Sequence, residues 1–531
     1  MKHRFIQGAL ILTIAGIVVK IIGSVNRIIL SRMLGGEGIG LYQMAYPIYQ
    51  LALSVSSAGI PVAISILTAE KLALKDYIGA NRIFRLSLKL MMVTGLFFSW
   101  LLYYGAGWLV DAQIVRDERA YYAIAALAPA IFFVTILSSY RGYFQGMQMM
   151  TPTAISQIVE QAIRVVVMIA LAIVLLPYGL AYASAGASFG AAPGAAAGVI
   201  ILLYYYWRHR IIHKEQLKMQ NREIVQESSY SIIKRLAILA LPVSLANIML
   251  PLTASIDLFI VPARLENAGY SVEVATELFG YLTGMAVSLV NLPTILTASL
   301  AASLVPAISE AVALKDRYGI TLRAVTALRM AILLMIPSFA GLYLLAMPIS
   351  EMLYATPNAS SCIAVLSFGV VLLGIGQVTT GILQGLGHTT IPLINMIIAA
   401  FVKVILSWTL TANSSWGIEG AAWATNADFG TAALLNLFFI YRYVGKALEL
   451  KSIFKVMVAT VMMSIAVFVS YDALMREFWG NTISTMGAII SGGVIYTIFI
   501  LLIGGVTKNE IESIPKVGKS VSRVLEKMRL I

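Results

Sequence analysis

Ala69-Glu70-Lys71-Leu72-Ala73-Leu74-Lys75-Asp76 returns 240 residues later as Ser309-Glu310-Ala311-Val312-Ala313-Leu314-Lys315-Asp316, with five of the eight residues identical. Gly142-Tyr143-Phe144-Gln145-Gly146 returns as Gly381-Ile382-Leu383-Gln384-Gly385, and Gly194-Ala195-Ala196 as Gly420-Ala421-Ala422. A duplicated polytopic chain points to a transporter whose site lies at the seam between the halves. The repeat interval covers about six apolar segments, an even number. Both halves therefore enter a bilayer in the same orientation, related by a pseudo-two-fold axis along the membrane normal.

Composition sets the solvent. Hydrophobic residues make up 59% of the chain and charged residues 12%, against about 45–50% and 25% in soluble domains. Windows of about 20 apolar residues predict an all-α membrane protein with about fourteen spans, the first near 6–30 and the last near 484–506. The start of the chain resembles a signal peptide, but Lys20 and Arg27 interrupt it and no small-residue cleavage site follows. It is read as the first span.

With the N-terminus inside, the inner segments hold 29 of the 38 Lys and Arg and the outer loops five. This asymmetry is the positive-inside pattern, so the net charge of +13 reads as topology and contact with anionic membrane lipid, not as nucleic-acid binding. Both termini are expected in the cytoplasm.

The predicted organisation is a six-helix half over 1–207, a linker over 208–235, a second six-helix half over 236–441, two added helices over 442–506 and a basic tail over 507–531. The linker fits an amphipathic helix on the inner leaflet or a solvated connector, and both readings stay open. The run Gly35-Gly36-Glu37-Gly38-Ile39-Gly40 follows an apolar span and not a strand, so it reads as a tight turn or hinge. A P-loop motif is absent. The single cysteine, Cys362, excludes an internal disulfide or a cysteine metal cluster. Neither a cofactor nor a metal is expected. Outer loops are too short for a catalytic domain, which argues against a membrane glycosyltransferase or ligase.

Charge inside a span is costly unless paired or hydrated. Lys20 and Arg27 stand seven residues apart on one face of the first span, with Ser24 and Ser31. The second span (41–68) carries Gln43, Pro47, Gln50, Ser54, Ser57 and Pro61 at helical spacing. Asn247 in the seventh span and Ser288 and Asn291 in the eighth continue the polar set. Two cations together suggest a hydrated cavity for an anionic group, since a guanidinium and an ammonium hold phosphate by charge-assisted hydrogen bonds. Glu160 and Arg164 are an i,i+4 pair, either structural or gating. Asp257 and Lys403 have no opposite charge on their own spans. An interhelical pair between them, joined by Asp428, would be an ion-sensitive switch or a static buried pair. Glu70 and Glu310 hold equivalent places at the inner span ends, as matching salt bridges or gate latches.

Lys20-Ile21-Ile22-Gly23, Ser31-Arg32-Met33-Leu34-Gly35, Ala69-Glu70-Lys71, Leu292-Pro293, Val305-Pro306 and Gly381-Ile382-Leu383-Gln384-Gly385 resemble the polysaccharide-exporter branch of the multidrug/oligosaccharidyl-lipid/polysaccharide flippase superfamily, near its stage V sporulation and lipid II flippase groups. The resemblance implies spans 1, 2, 7 and 8 around a central cavity, with the two added helices forming a groove for a lipid tail. It implies that Lys20 keeps the first cationic position, that Asn26 with Arg27 beside it takes the second, and that a third falls near Ser288. Some relatives bind sodium; Asp257 matches their first ligand, while Lys403 and Ser407 replace others.

The expected function is a flippase for an undecaprenyl-diphosphate-linked sugar, a peptidoglycan precursor with the spore cortex as one destination. Its partners would be that lipid-linked sugar and cell-wall synthesis proteins. The alternatives are a teichoic acid or exopolysaccharide precursor flippase and a multidrug/cation antiporter.

Overall fold

The computed structural model describes residues 2–57, 59–219, 227–477 and 480–506, and every described element is helical. The expected tail over 507–531, and residues 220–226 of the expected linker, lie outside the described residues.

The first long helix, α1 (Lys2–Ser57), bends at Gly35, where φ 67° and ψ −172° leave the helical region. Only glycine takes that conformation without a steric penalty, and the expected hinge falls there. The chain breaks again at Gly59, φ 78°, and Pro61 then sits in the first turn of α2 (Ile60–Ala73), where its missing N–H costs nothing. The expected second span is thus carried by α2 and the last part of α1.

The first repeat continues with α3 (Tyr77–Asp111), α4 (Ala120–Gly146), α5 (Met150–Leu175), α6 (Leu180–Phe189) and α7 (Ala191–Met219). Then come α8 (Ser229–Asn267) and α9 (Val272–Phe279), a π-helical turn over Gly280–Ala286, and α10 (Val287–Ala313). The second repeat goes on through α11 (Arg317–Leu344), α12 (Ala346–Tyr354), α13 (Ser360–Gly385), α14 (Thr390–Leu410) and α15 (Gly417–Tyr443). The chain ends in α16 (Leu450–Arg476) and α17 (Gly480–Leu502). The helix α7 runs on into the expected linker as far as Met219.

Eleven stretches among the described residues are long and apolar enough to cross a membrane. The first, Ile14–Ala73, contains two of the fourteen expected spans, and α8 and α15, which stand at the seventh and twelfth, are not among the eleven. In α15 Asp428, with Asn426 and Asn436, interrupts the apolar run.

Packing divides the chain into two compact units, Met1–Gly280 and Tyr281–Ile531. The cut falls after α8, the first helix of the second sequence repeat, which packs on α1 and α2.

Each unit builds the same inner corner. Asp76 caps α3 by accepting the Gly79 N–H at 2.8 Å, and Asp316 caps α11 by accepting the Gly319 N–H at 2.9 Å. The preceding lysines, Lys75 and Lys315, both turn left-handed at φ 57° and 55°. The repeated glycines are contact points. A Cβ on Gly142 would stand 2.5 Å from the Pro61 carbonyl oxygen, and one on Gly146 would stand 2.7 Å from that of Ser65. On Gly381 and Gly385 it would meet Ala301 O at 2.9 Å and Val305 O at 3.0 Å. Small residues four apart let the two backbones touch, α4 on α2 and α13 on α10.

The third sequence match is corrected by packing. Gly420 abuts Leu410, near the end of α14, and the glycine that abuts the corresponding Leu171 of α5 is Gly186. Gly194 instead lies against Glu160 and Arg164. The small-residue runs on α6 and α7 repeat every four residues, so sequence similarity slipped by two turns.

Candidate functional site

The charged centre of the first unit is on α4 and α5. Arg164 Nη2 lies 3.2 Å from Glu160 Oε1, the expected i,i+4 pair, and a third member joins it. Arg141 Nη2 lies 2.8 Å from Glu160 Oε2, and its Nε donates to Ser156 Oγ at 3.1 Å. The three side chains are 14–18% exposed. Arg141 belongs to the last part of α4. The pair alone would leave no net charge; the triad carries one excess positive charge among buried groups. Gly190 and Gly194 make room for it, since a Cβ on either would meet Arg164 at 2.9 or 2.8 Å.

Two stretches of α1 face this centre. Before the bend, Gly23 packs on Gln161, and the Asn26 amide, buried, donates to Met168 Sδ at 3.5 Å. Asn26 is thus used in the α1–α5 contact. Arg27 is half-buried and lies in electrostatic reach of Tyr42. Lys20 is exposed. After the bend, Tyr42, Tyr46 and Tyr49 form a ladder, with centroids 5.8 Å and 6.0 Å apart. Arg164 interacts electrostatically with all three hydroxyls. The ladder was not anticipated, although its i, i+4, i+7 spacing was visible beside the Gln43–Gln50 stripe. Gln50 itself is half-buried.

Two ionic clusters stand at opposite ends of the same unit; Glu70, expected in a salt bridge, belongs to the first, and the other members of both were not anticipated. At one end Arg235 Nη2 reaches Glu70 Oε2 at 2.6 Å and its Nη1 reaches Glu227 Oε1 at 3.0 Å. Lys71 bridges Glu227 at 3.1 Å and Asp76 at 3.4 Å. The Lys71 hydrogen bond, then the charges of Lys71 and Arg235, hold the Glu227 carboxyl below its ordinary pKa. At the other end Arg119 binds Asp117 at 2.7 Å and also Glu37, and Asp117 accepts the Thr276 hydroxyl at 2.8 Å. The Asp117 hydrogen bond is the largest influence raising the Arg119 guanidinium above its ordinary value. The partners are 82 and 159 residues apart in the chain, beyond the reach of any local spacing rule.

Residues 5–312 match the family described as "Polysaccharide biosynthesis protein", and residues 282–409 match MatE. The chain is 30% identical to Stage V sporulation protein B of Bacillus subtilis (strain 168), over 98% of this chain and all of that one. It belongs to the polysaccharide biosynthesis protein family. The same organism's Lipid II flippase MurJ is 26% identical over 93% of this chain and 95% of its own. Among solved structures, "Lipid II flippase MurJ, inward closed conformation" superposes with a TM-score of 0.68 at 16% identity, covering 92% and 98% of the two chains. An inward-facing MATE transporter of the MOP superfamily gives 0.66 at 16%, covering 81% and 95%. The family member is therefore a multi-pass membrane protein with the MurJ/MATE transporter fold.

The remaining expected residues of this family member fall as follows. In the first unit Asn247 is exposed and Asp257 buried, both on α8. In the second unit Ser288 donates to Gly284 O within the π-helical turn and the start of α10, and Asn291 is exposed. Lys403 and Asp428 are buried on α14 and α15. Glu310 is 68% exposed, with Arg323 at 3.8 Å. The pairing of Asp257, in one unit, with Lys403, in the other, stays an expectation of the sequence. Among the described residues no group of three or more His, Cys, Asp or Glu could hold a metal ion.

Proposed function

We propose that this chain is a flippase that carries an undecaprenyl-diphosphate-linked sugar, a peptidoglycan precursor, from the inner to the outer leaflet by alternating access. Family membership and full-length similarity to a lipid II flippase support the class. The observation that carries the substrate chemistry is the charge balance of the first unit's centre. Arg141 and Arg164 meet there, Arg27 shares the neighbouring Tyr42 with Arg164, and Glu160 is the one carboxylate on α4 and α5. A diphosphate suits such a surplus of guanidinium. The tyrosine ladder offers flat faces and hydroxyls of the kind that hold a sugar.

In this reading Lys20 and Arg27, two helical turns or about 10 Å apart, grip the diphosphate, while Asn26 fixes α1 on α5. A multidrug antiporter for cations would need the opposite charge. Termini in the cytoplasm put the Glu70 cluster at the inner end and the Glu37 cluster at the outer end.

Coupling rests on α14 and α15. Positions 156, 160, 164, 168 and 172 of α5 correspond, at an interval of 239, to 395, 399, 403 and 407 of α14 and to 411 just past its end, the last group buried throughout. Arg164 thus corresponds to Lys403. If Gly186 corresponds to Gly420, then Gly194, which abuts Arg164, corresponds to Asp428. The register favours Lys403 and Asp428 as partners. A fixed lysine there replaces a metal cation, so transport is expected to run without sodium.

The test is to deplete the protein, identify the lipid-linked intermediate that accumulates on the inner leaflet, and reconstitute transport of it. Lys20→Arg is expected to transport better than Lys20→Gln, and Lys20→Ala with Arg27→Ala to be inactive at normal membrane levels. Full transport by the double alanine variant would overturn the assignment.

A further inference from the structure

We propose that the first unit holds a dedicated site for an anionic phospholipid of the surrounding bilayer, in a basic cleft at the start of α3. The cleft has a volume of about 310 Å³ and is lined by Asn81, Arg82, Arg85, Leu86, Lys89 and Ser229. Arg82 Nη2 donates to Ser229 Oγ at 3.3 Å, which ties the start of α8 to α3. Tyr206 donates to Asn81 Oδ1 at 3.4 Å from α7. Arg85 and Lys89 are exposed, and among the described residues no carboxylate lies within 4.0 Å of either. Two cations thus line a walled recess with no carboxylate of the described residues within ion-pair distance.

The occupant follows from what lies along the same helix face. Residues 82, 85 and 89 are three or four apart, and the stripe goes on through Val93, Leu96 and Trp100, which are 68%, 62% and 58% exposed. The face passes from basic to apolar with no break. Tyr104, 64% exposed, ends it. From Arg85 to Tyr104 is about 28 Å at 1.5 Å per residue, the thickness of a bilayer's hydrocarbon core. The cations stand at one head-group level and the aromatic residues at the other. A phospholipid would place its phosphate between Arg85 and Lys89, as basic recesses between membrane helices do, and lay its acyl chains on Val93 and Leu96.

The other repeat argues against a general need for charge here. At the interval of 240 set by Asp76 and Asp316, the three cations become Leu322, Val325 and Arg329. Arg329 is already used, donating to Gly505 O at 2.7 Å. The three-cation stripe is a property of the first repeat alone, and it lies on α3, whereas Lys20 and Arg27 lie on α1.

The experiment is native mass spectrometry of the full chain, released from vesicles of phosphatidylglycerol, or of phosphatidylcholine as control. The native protein is expected to retain phosphatidylglycerol and not phosphatidylcholine. Arg85→Gln with Lys89→Gln is expected to weaken retention about tenfold or more, at about 1 kcal/mol per charge. Arg85→Lys keeps most of it, and the exposed Lys75→Gln leaves it unchanged. Arg82, which ties α3 to α8, stays untouched so that folding is preserved. Equal retention by the double variant would overturn the site, as would an equal loss with Lys75→Gln. Displacement of the lipid by millimolar inorganic phosphate would show a free-anion site and overturn the choice of a lipid.

Discussion

The middle of α5 and the middle of α14 are the same structure with different chemistry. In the first unit Arg141, Ser156, Glu160 and Arg164 form a part-buried ionic group. At the corresponding places the second unit has Thr380, Asn395, Ala399 and Lys403. There Asn395 donates to Asn436 Oδ1 at 2.8 Å, and Asn436 donates to Thr379 at 3.3 Å and Thr380 at 3.1 Å. Backbone devices, by contrast, are retained in pairs: the Asp76 and Asp316 caps, the left-handed Lys75 and Lys315, and the glycines against α2 and α10. Duplication fixed the steric joints, which fail if altered. The polar centres differ: one unit holds an Arg–Glu–Arg cluster with an excess positive charge, the other an amide cluster.

The comparison breaks first at Glu160. Glu160→Gln leaves Arg141 and Arg164 without a counter-charge inside the bilayer, and removing one partner of a buried pair costs about 3–5 kcal/mol. Asn395→Ala removes a neutral bond and leaves Asn436 with two others, at about 1–3 kcal/mol. Thermal unfolding in detergent is expected to show the first variant much the weaker. Equal losses would mean that the two centres are energetically alike.

A double-mutant cycle sharpens it next. Lys403→Met and Asp428→Asn, each alone, are expected to cost about 3 kcal/mol, and the two together less than either, because an unpaired buried charge is what destabilises. Additive effects would dissolve the pair that the repeat register favours.

How much of this was written in the sequence differs by link. The spans, the bend at Gly35 and the Glu160–Arg164 spacing were readable because each is local: twenty apolar residues, a glycine run, one helical turn. Arg141 was not legible as a member of this centre because it sits five residues inside the end of α4, beyond an apolar window, where a hydropathy boundary and a helix boundary part company. Asn26 was assigned to the cavity, but on a helix it stands 100° from Arg27 and turns toward Met168. The Arg235–Glu70 and Arg119–Glu37 clusters join residues 165 and 82 apart, and nothing short of the fold brings them together. Gly194 and Gly420 show the reverse failure, a sequence match that packing does not honour.

Where the units are alike, they should respond alike. Gly142→Leu and Gly381→Leu each push a side chain into the backbone of the neighbouring helix, and overpacking of this kind costs about 1–3 kcal/mol. The two losses are expected to agree within about 0.5 kcal/mol. A large difference would show that only one of the joints is tight.

The smallest effect separates the two inner corners. Around Glu70 the first unit adds Lys71, Glu227 and Arg235, whereas among the described residues Glu310 has only the 3.8 Å ionic contact with Arg323, and position 311 is alanine. These groups are partly exposed, so each bridge is worth about 1 kcal/mol or less. The sign is still testable. Because the Glu227 carboxyl is held below its ordinary pKa by Lys71 and Arg235, its contribution is complete above the ordinary glutamate value. It is lost as pH falls through the lowered native one. Unfolding temperatures recorded from neutral to acid pH should therefore converge for the native chain and Glu227→Gln, with the native chain ahead only at the neutral end. A constant gap across that range would show that Glu227 acts by packing and not by charge.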